Sequence, residues 1–404
     1  MSGAEVISLG CRLNIAESEQ MRALLAQEND VVVVNSCAVT SEAVRQTRQA
    51  IRKARRARPD ARLLVTGCAA DIERAQLSAM PEVDGLIANA AKLDPRAWNV
   101  PAQAAPVPQA RTRAFIAVQN GCDHACTFCV IPQGRGKSRS LDVDQVLREV
   151  ESHMAQGAPE VVLTGVDVTS WGHDLPQHVA LGSLVRQVLN HFPELMRLRM
   201  SSLDGIEIDE ELFDLFAHEK RMMPHLHLSL QHGADLILKR MKRRHLRQDA
   251  VDLVARLKAI RPQIAVGADL IAGFPTETEE QHQANLSIIR ELGIVHGHIF
   301  PYSPRPGTPA ARIASTQWSR GWVANIRSIS AISTSLFRTR LLLVAKRWSA
   351  SHSGRFAMLS TNLRQTRSPA SVICNGPSAA WNTPSGAAAG LPLPCRAGAL
   401  PLMR

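Results

Sequence analysis

Nine residues, Gly121-Cys122-Asp123-His124-Ala125-Cys126-Thr127-Phe128-Cys129, carry three thiols at the spacing C-x3-C-x2-C. They follow an apolar run, Ala114 to Val118, and precede Ile131-Pro132-Gln133-Gly134-Arg135-Gly136. Thiols spaced this way can converge on one side of a tight loop. Three thiolates saturate three irons of a 4Fe–4S cube and leave the fourth iron open to bind and reduce a ligand. A zinc site more often takes a fourth Cys or His at short spacing. His124, inside the loop, keeps that alternative open.

A second set of three cysteines is spread along the first hundred residues. Val6-Ile7-Ser8-Leu9-Gly10 leads to Cys11, Val31-Val32-Val33-Val34-Asn35-Ser36 to Cys37, and Leu63-Leu64-Val65-Thr66-Gly67 to Cys68. Each is a short β-branched run ending in turn residues, the pattern of a buried parallel strand. The steps from 11 to 37 and from 37 to 68 are close to the roughly 30 residues of one βαβ unit. In an open parallel sheet, ligands bind beyond the carboxyl ends of the strands. Cysteines at those ends can therefore meet at one point and hold a second cluster with an open iron. The bland alternative is three small buried hydrophobes.

The elements that must position these thiols follow from periodicity. Helical patterns fill the intervals at Ile15 to Gln27 and Ser41 to Arg58, with Thr40 or Ser41 as N-cap. Residues 1–100 thus form an open parallel βαβ domain. Residues 101–113, rich in Pro, Ala and Gln, read as a linker. From 114 to 312, six strand-like runs alternate mostly with helical patterns: Phe115 to Val118, Val161 to Thr164, Leu198 to Ser202, Leu226 to Leu230, Ile264 to Ile271 and His298 to Tyr302. Asp142 to Gln156, Leu181 to Asn190 and Gln248 to Ile260 are among the helices. The sum is an α/β chain whose second domain is a (β/α)6 partial TIM barrel, with its active face at the strand carboxyl ends. Ser201, Ser202, Ser229, Gln231 and His232 close barrel strands and are candidates for ribose or substrate contact.

Composition bounds the partners. A length of 404 residues suits two or three domains. No run of 18 apolar residues predicts a membrane helix, and residues 1 to 20 lack the basic-then-apolar pattern of a secretory leader. Eight cysteines, six in metal-like contexts, fit a reducing cytoplasm better than disulfides. The formal charge of +11 comes entirely from residues 313–404, which hold eleven Lys and Arg and no Asp or Glu. Residues 1 to 312 are formally neutral, so RNA contact must rest on local patches. Two stand out: Arg45, Arg48, Arg52 and Arg56 on one helix face, and Lys239 to Arg247, a basic run suited to phosphate contact. Each can equally be a solvated face.

The C-x3-C-x2-C loop resembles that of the radical S-adenosylmethionine (SAM) superfamily. Leu9-Gly10-Cys11, Asn35-Ser36-Cys37 and Thr66-Gly67-Cys68 resemble the N-terminal domain of its methylthiotransferase family. The resemblance implies two 4Fe–4S clusters: one on Cys122, Cys126 and Cys129 that binds SAM and cleaves it to a 5′-deoxyadenosyl radical, and an auxiliary one on Cys11, Cys37 and Cys68 that carries the sulfur. It implies that Phe128 lies against the adenine of SAM and that backbone at Thr164, Gly165 and Val166 receives its ammonium. The stretch from Gly267 to Glu277, with Gly273, resembles the family's fifth-strand motif near that adenine. The runs Asn35 to Ala43, Val118 to His124 and Pro301 to Thr308 look most like the threonylcarbamoyladenosine tRNA methylthiotransferases (MtaB type). That branch converts the modified adenosine at position 37 of tRNA to its 2-methylthio derivative. The reaction implies a tRNA anticodon loop as partner, a low-potential electron donor of the flavodoxin kind, no membrane, a monomer and a cytoplasmic location. The alternatives are a sister enzyme for isopentenyladenosine tRNA or a ribosomal protein, or a non-catalytic Fe–S or zinc RNA-binding protein.

The resemblance ends near Arg312. Family members finish in a small RNA-binding barrel (TRAM), yet residues 313–404 carry fourteen Ser and four of the six Trp with no acidic residue. No alternating strand and turn pattern appears there. The expectation is an irregular tail from an out-of-frame reading, with a genuine basic RNA-binding tail as the alternative.

Overall fold

A computed structural model describes residues 3–101 and 112–314. Most of the expected linker and the tail from 315 onward lie outside these described residues.

The chain begins with β1 (Glu5–Ser8), α1 (Arg12–Leu24), β2 (Val31–Ser36), α2 (Ser41–Ala57) and β3 (Arg62–Gly67). Then come α3 (Cys68–Ile72), α4 (Arg74–Ser78) and β4 (Gly85–Leu86). The four strands form one parallel sheet in the order β1-β2-β3-β4. The run of four valines in β2 is buried on both faces. Val31 and Val33 pack with Met21 of α1, with Leu25 just past its end and with Trp98. Val32 and Val34 pack with Val44 and Ile51 of α2. Val44, Thr47, Ile51 and Ala54 of α2 are buried at helical spacing, which leaves its arginines outward. Thr40 caps this helix by accepting the Ala43 amide at 3.1 Å. The two-residue β4 is too short to show as a run in the sequence.

The second half contains β5 (Ala114–Ala117), β6 (Gln119–Asn120), α5 (Ile131–Arg135), β7 (Arg139–Ser140), α6 (Val143–Ala155), β8 (Glu160–Thr164), α7 (Leu181–His191) and β9 (Arg197–Met200). It continues with α8 (Glu210–His218), β10 (His225–Gln231), α9 (Asp235–Arg240), α10 (Arg247–Ile260), β11 (Ala265–Ala272), α11 (Glu279–Leu292) and β12 (Ile294–Pro301). Strands β5-β8-β9 and β10-β11-β12 are parallel sets. The bridges Leu198–Met222 and Leu203–Leu228 join them at the seam. One core, from Ala114 to Ile299, runs beneath all six strands, so this is the partial barrel expected. Strand β12 begins four residues before its expected start, because His296 and Gly297 interrupt the apolar run that would announce it. Helix α1 packs against β5, and so the N-terminal unit is seated on the barrel.

Candidate active site

Each cysteine of the first set follows a strand of the N-terminal sheet. Cys11 follows β1 as the N-cap of α1, Cys37 follows β2, and Cys68 opens α3 directly after β3. Glycines make the close approach feasible. Gly10 stands at φ +94°, and a Cβ there would sit 2.7 Å from that of Cys37. Burial, then Cys11 and with it Cys68, pushes the Cys37 thiol up to about 12. Burial likewise raises Cys68, with Arg135 opposing.

The other three thiols lie in the loop after β6. Gly121 turns at φ +78°, and any Cβ there would overlap the Lys137 carbonyl. The Thr127 amide donates to the Met241 carbonyl at 3.1 Å, and its hydroxyl to the Arg240 carbonyl at 2.8 Å. Each sulfur has a donor. The His124 amide meets Cys122 Sγ at 3.4 Å, the Ile131 amide meets Cys129 Sγ at 3.4 Å, and Arg243 Nη1 meets Cys126 Sγ at 3.7 Å. Donors aimed at sulfur suit a bound thiolate. Burial pushes Cys122 and Cys129 to about 12, so iron binding there must displace protons.

Among the described residues, neither trio of thiols appears in a donor group tight enough to share one ion. Cys122, His124 and Asp167 do come that close. However, His124 Nε2 sits 2.8 Å from Asp167 and 3.9 Å from Glu207. Hydrogen bonds to these two carboxylates raise the imidazole pKa to about 10, with Arg244 Nη2, 2.9 Å from the same nitrogen, opposing.

The two cysteine-bearing segments meet at one point. Gly134, at the end of the C-x3-C-x2-C segment, packs on Cys68, whose Cβ would lie 3.3 Å from a Cβ at that position. Cys68 is near enough to raise Cys129, after burial and Cys126. Between them is a buried ionic knot that sequence reading missed. Glu17 of α1 meets Lys92 Nζ at 2.5 Å and Arg135 of α5 at 2.9 Å. Arg135 also donates to Asn14 and Asn120, and Asn14 donates to the Leu9 and Ser36 carbonyls beside Cys11 and Cys37. Arg135 was visible in the sequence, but nothing there shows that its partner lies 118 residues away.

The remaining candidates stand at the carboxyl ends of barrel strands. Thr164, Gly165 and Val166 follow β8. Buried Gln119 Oε1 accepts the Val166 and Asp167 amides at 3.0 and 2.9 Å, while the Thr164 carbonyl already accepts the Val118 amide. Ser201 follows β9, and its buried hydroxyl finds no partner among the described residues. Gln231 ends β10 at φ +65°, where the register shifts. Gly273 follows β11 at φ +78°, and Glu277 accepts its amide at 2.6 Å. Phe128 packs with Ile237, Met241, Ile271 and Phe274.

The two basic patches fare differently. In the run from Lys239 to Arg247, several guanidiniums are engaged internally. Arg243 reaches Asp204 and Cys126, Arg244 reaches Glu207 at 2.6 Å, and Arg247 reaches the Gly233 and Ala284 carbonyls. Lys239, Arg240 and Lys242 remain at the surface. On α2, Arg45, Arg48 and Arg52 line a groove of about 400 Å³ with Glu73 and Arg305.

Residues 116–287 match the Radical SAM superfamily, and residues 4–88 match Uncharacterized protein family UPF0004. The chain is 46% identical to a threonylcarbamoyladenosine tRNA methylthiotransferase MtaB of Rickettsia prowazekii, over 76% of this chain and 78% of that one. It is 32% identical to the protein of that name from Bacillus subtilis, over 76% and 74%. In fold it is similar to the radical SAM methyltransferase TsrM of Kitasatospora setae, solved with cobalamin and a [4Fe-4S] cluster, at a TM-score of 0.56 and 16% identity, covering 77% of this chain and 74% of that one.

Proposed function

The chain belongs to the radical SAM methylthiotransferases, and from that premise we propose that it converts N6-threonylcarbamoyladenosine at position 37 of tRNA to the 2-methylthio derivative. What supports this most is that Cys11, Cys37 and Cys68 each follow a strand of the N-terminal sheet, and that Cys68 packs on Gly134, just beyond the Cys122–Cys129 loop. Residues 1–100 form the sulfur-bearing half, with Cys11, Cys37 and Cys68 as ligands of an auxiliary 4Fe–4S cluster. Residues 114–312 form the radical half, with Cys122, Cys126 and Cys129 as ligands of the cluster that binds SAM. When bound, these groups supply the one-electron chemistry, the sulfur and the methyl group that no side chain provides.

The chain's own residues place and shield. Gln119 fixes the Thr164–Val166 turn where the SAM ammonium would sit. The hydroxyl of Ser201 and the backbone at Gln231 and Gly273 line the mouth. Phe128 lies in the apolar group that would cover the adenine. A base in an anticodon loop can be splayed out to reach such a mouth. A low-potential reductant, a monomeric state and a cytoplasmic location complete the reading. No helix among the described residues is long and apolar enough to cross a membrane.

Anaerobic reconstitution tests the proposal. We expect about eight irons per chain, reductive cleavage of SAM, and appearance of the 2-methylthio nucleoside by mass spectrometry of tRNA. Iron at half that level in a chain that still cleaves SAM would argue against an auxiliary cluster. Product on isopentenyladenosine alone would move the chain to the sister branch.

A further inference from the structure

The barrel lumen holds charges that the two thiol trios do not use. Strand alternation puts Leu226, Leu228 and Leu230 of β10 in the core and turns His225 and His227 inward. On the same inner surface lie Glu160, Arg197, Arg199, Asp269, His296 and His298. Glu160 is engaged on both oxygens, whereas both contacts to Asp269 fall on Oδ1. Glu160 meets Arg199 at 2.7 Å, Arg113 at 3.1 Å and Arg197 at 3.4 Å. Asp269 meets His298 at 2.9 Å and His227 at 3.1 Å.

Arg12, the first residue of α1, is different. It is half-buried. No hydrogen bond or ion pair to it is found among the described residues, although its charged neighbours are Arg199, Arg113, Asp269 and Glu160. Burial first, and then the two arginines, disfavour its charge, yet a guanidinium does not give up its proton at neutral pH. Burial also keeps His225 and His296 neutral, at about 3 and about 4. Four guanidiniums therefore face two carboxylates, and the one without a partner lies next to Cys11. A desolvated cation left unpaired is unfavourable, so the lumen is built to receive an anion.

We propose that Arg12, with Arg199 behind it, is a specificity-determining residue that binds the carboxylate of the threonylcarbamoyl arm on the substrate adenosine. The inference rests on the function proposed above. A carboxylate matches the planar fork of a guanidinium in two parallel bonds. An isopentenyl arm is hydrocarbon and would leave the cation unpaired, so the same residue rejects the sister substrate.

The test is binding of anticodon stem–loops to the anaerobically reconstituted full chain. One stem–loop carries threonylcarbamoyladenosine, one its methyl ester, and one isopentenyladenosine. Wild type is expected to bind the acid about 10- to 100-fold more tightly than the ester, as charge-assisted hydrogen bonds imply. Arg12→Gln should bind acid and ester alike, and Arg12→Lys should keep part of the preference, both with wild-type iron content. No acid-over-ester preference in wild type overturns the proposal without any variant having to fold. A full preference retained in Arg12→Gln also overturns it. If wild type instead prefers the isopentenyl stem–loop, the proposed function itself falls, a result distinct from either of those.

Discussion

At the scale of residues, the knot of Glu17, Lys92 and Arg135 shows how much the junction depends on one carboxylate. Burial alone would raise the Glu17 pKa, but Lys92 and Arg135 outweigh it and hold the carboxyl below its ordinary range. The stabilisation is therefore present above the unfolded-state value and is lost only as pH falls through the depressed folded value. Glu17→Gln leaves two buried cations facing each other without a counter-charge. We expect a loss of about 3–5 kcal/mol, seen as a lower thermal midpoint, with a flatter acid limb in the pH–stability curve. A midpoint equal to wild type would show that the knot contributes no net stability. The cysteines were legible as residues because their spacing and their flanking glycines are local. Glu17 and Lys92 were not, because each is an ordinary helix or loop residue until folding brings the two, 75 positions apart, to one point.

At the scale of elements, tight turns after strands decide where the thiols go. Gly121→Ala should block closure of the C-x3-C-x2-C loop, since a methyl group there meets the Lys137 carbonyl. The expected outcome is iron reduced to roughly half, no cleavage of SAM, and intact far-ultraviolet circular dichroism. Full iron content would show that the loop closes by another route. Most strands and helices could be read from period and length, and their ends fell within a few residues of expectation. Two kinds of element escaped. The pairs β6–β7 and the strand β4 are two residues long and leave no periodic trace. The run from Lys239 to Arg247 looks uniformly basic in sequence, yet Arg243 turns inward to Asp204 and Cys126 because α9 ends against the thiol loop.

At the scale of the whole molecule, the groove between α2 and the end of β12 joins the two halves. Ser41 meets Ser303, with their hydroxyls 3.0 Å apart, and Arg305 meets Glu73 at 2.7 Å. Arg52, half-exposed and only loosely paired with Glu82 at 3.8 Å, is free to reach a phosphate. Arg52→Ala should weaken tRNA binding uniformly across tRNAs and lower the slope of log K against log salt by about 0.7. An unchanged slope would place the RNA elsewhere. The two-domain plan was legible because each half has its own strand period. Their docking was not, since it is carried by contacts between α1 and β5 and between α3 and α5, which no local pattern encodes. Among the described residues, no ladder closes the ring between β12 and β5. An unclosed ring is a doorway, and α1 stands beside it as the jamb. Entry of a nucleotide from that side would bring it past the contact proposed for Arg12, and selection would then precede the radical step.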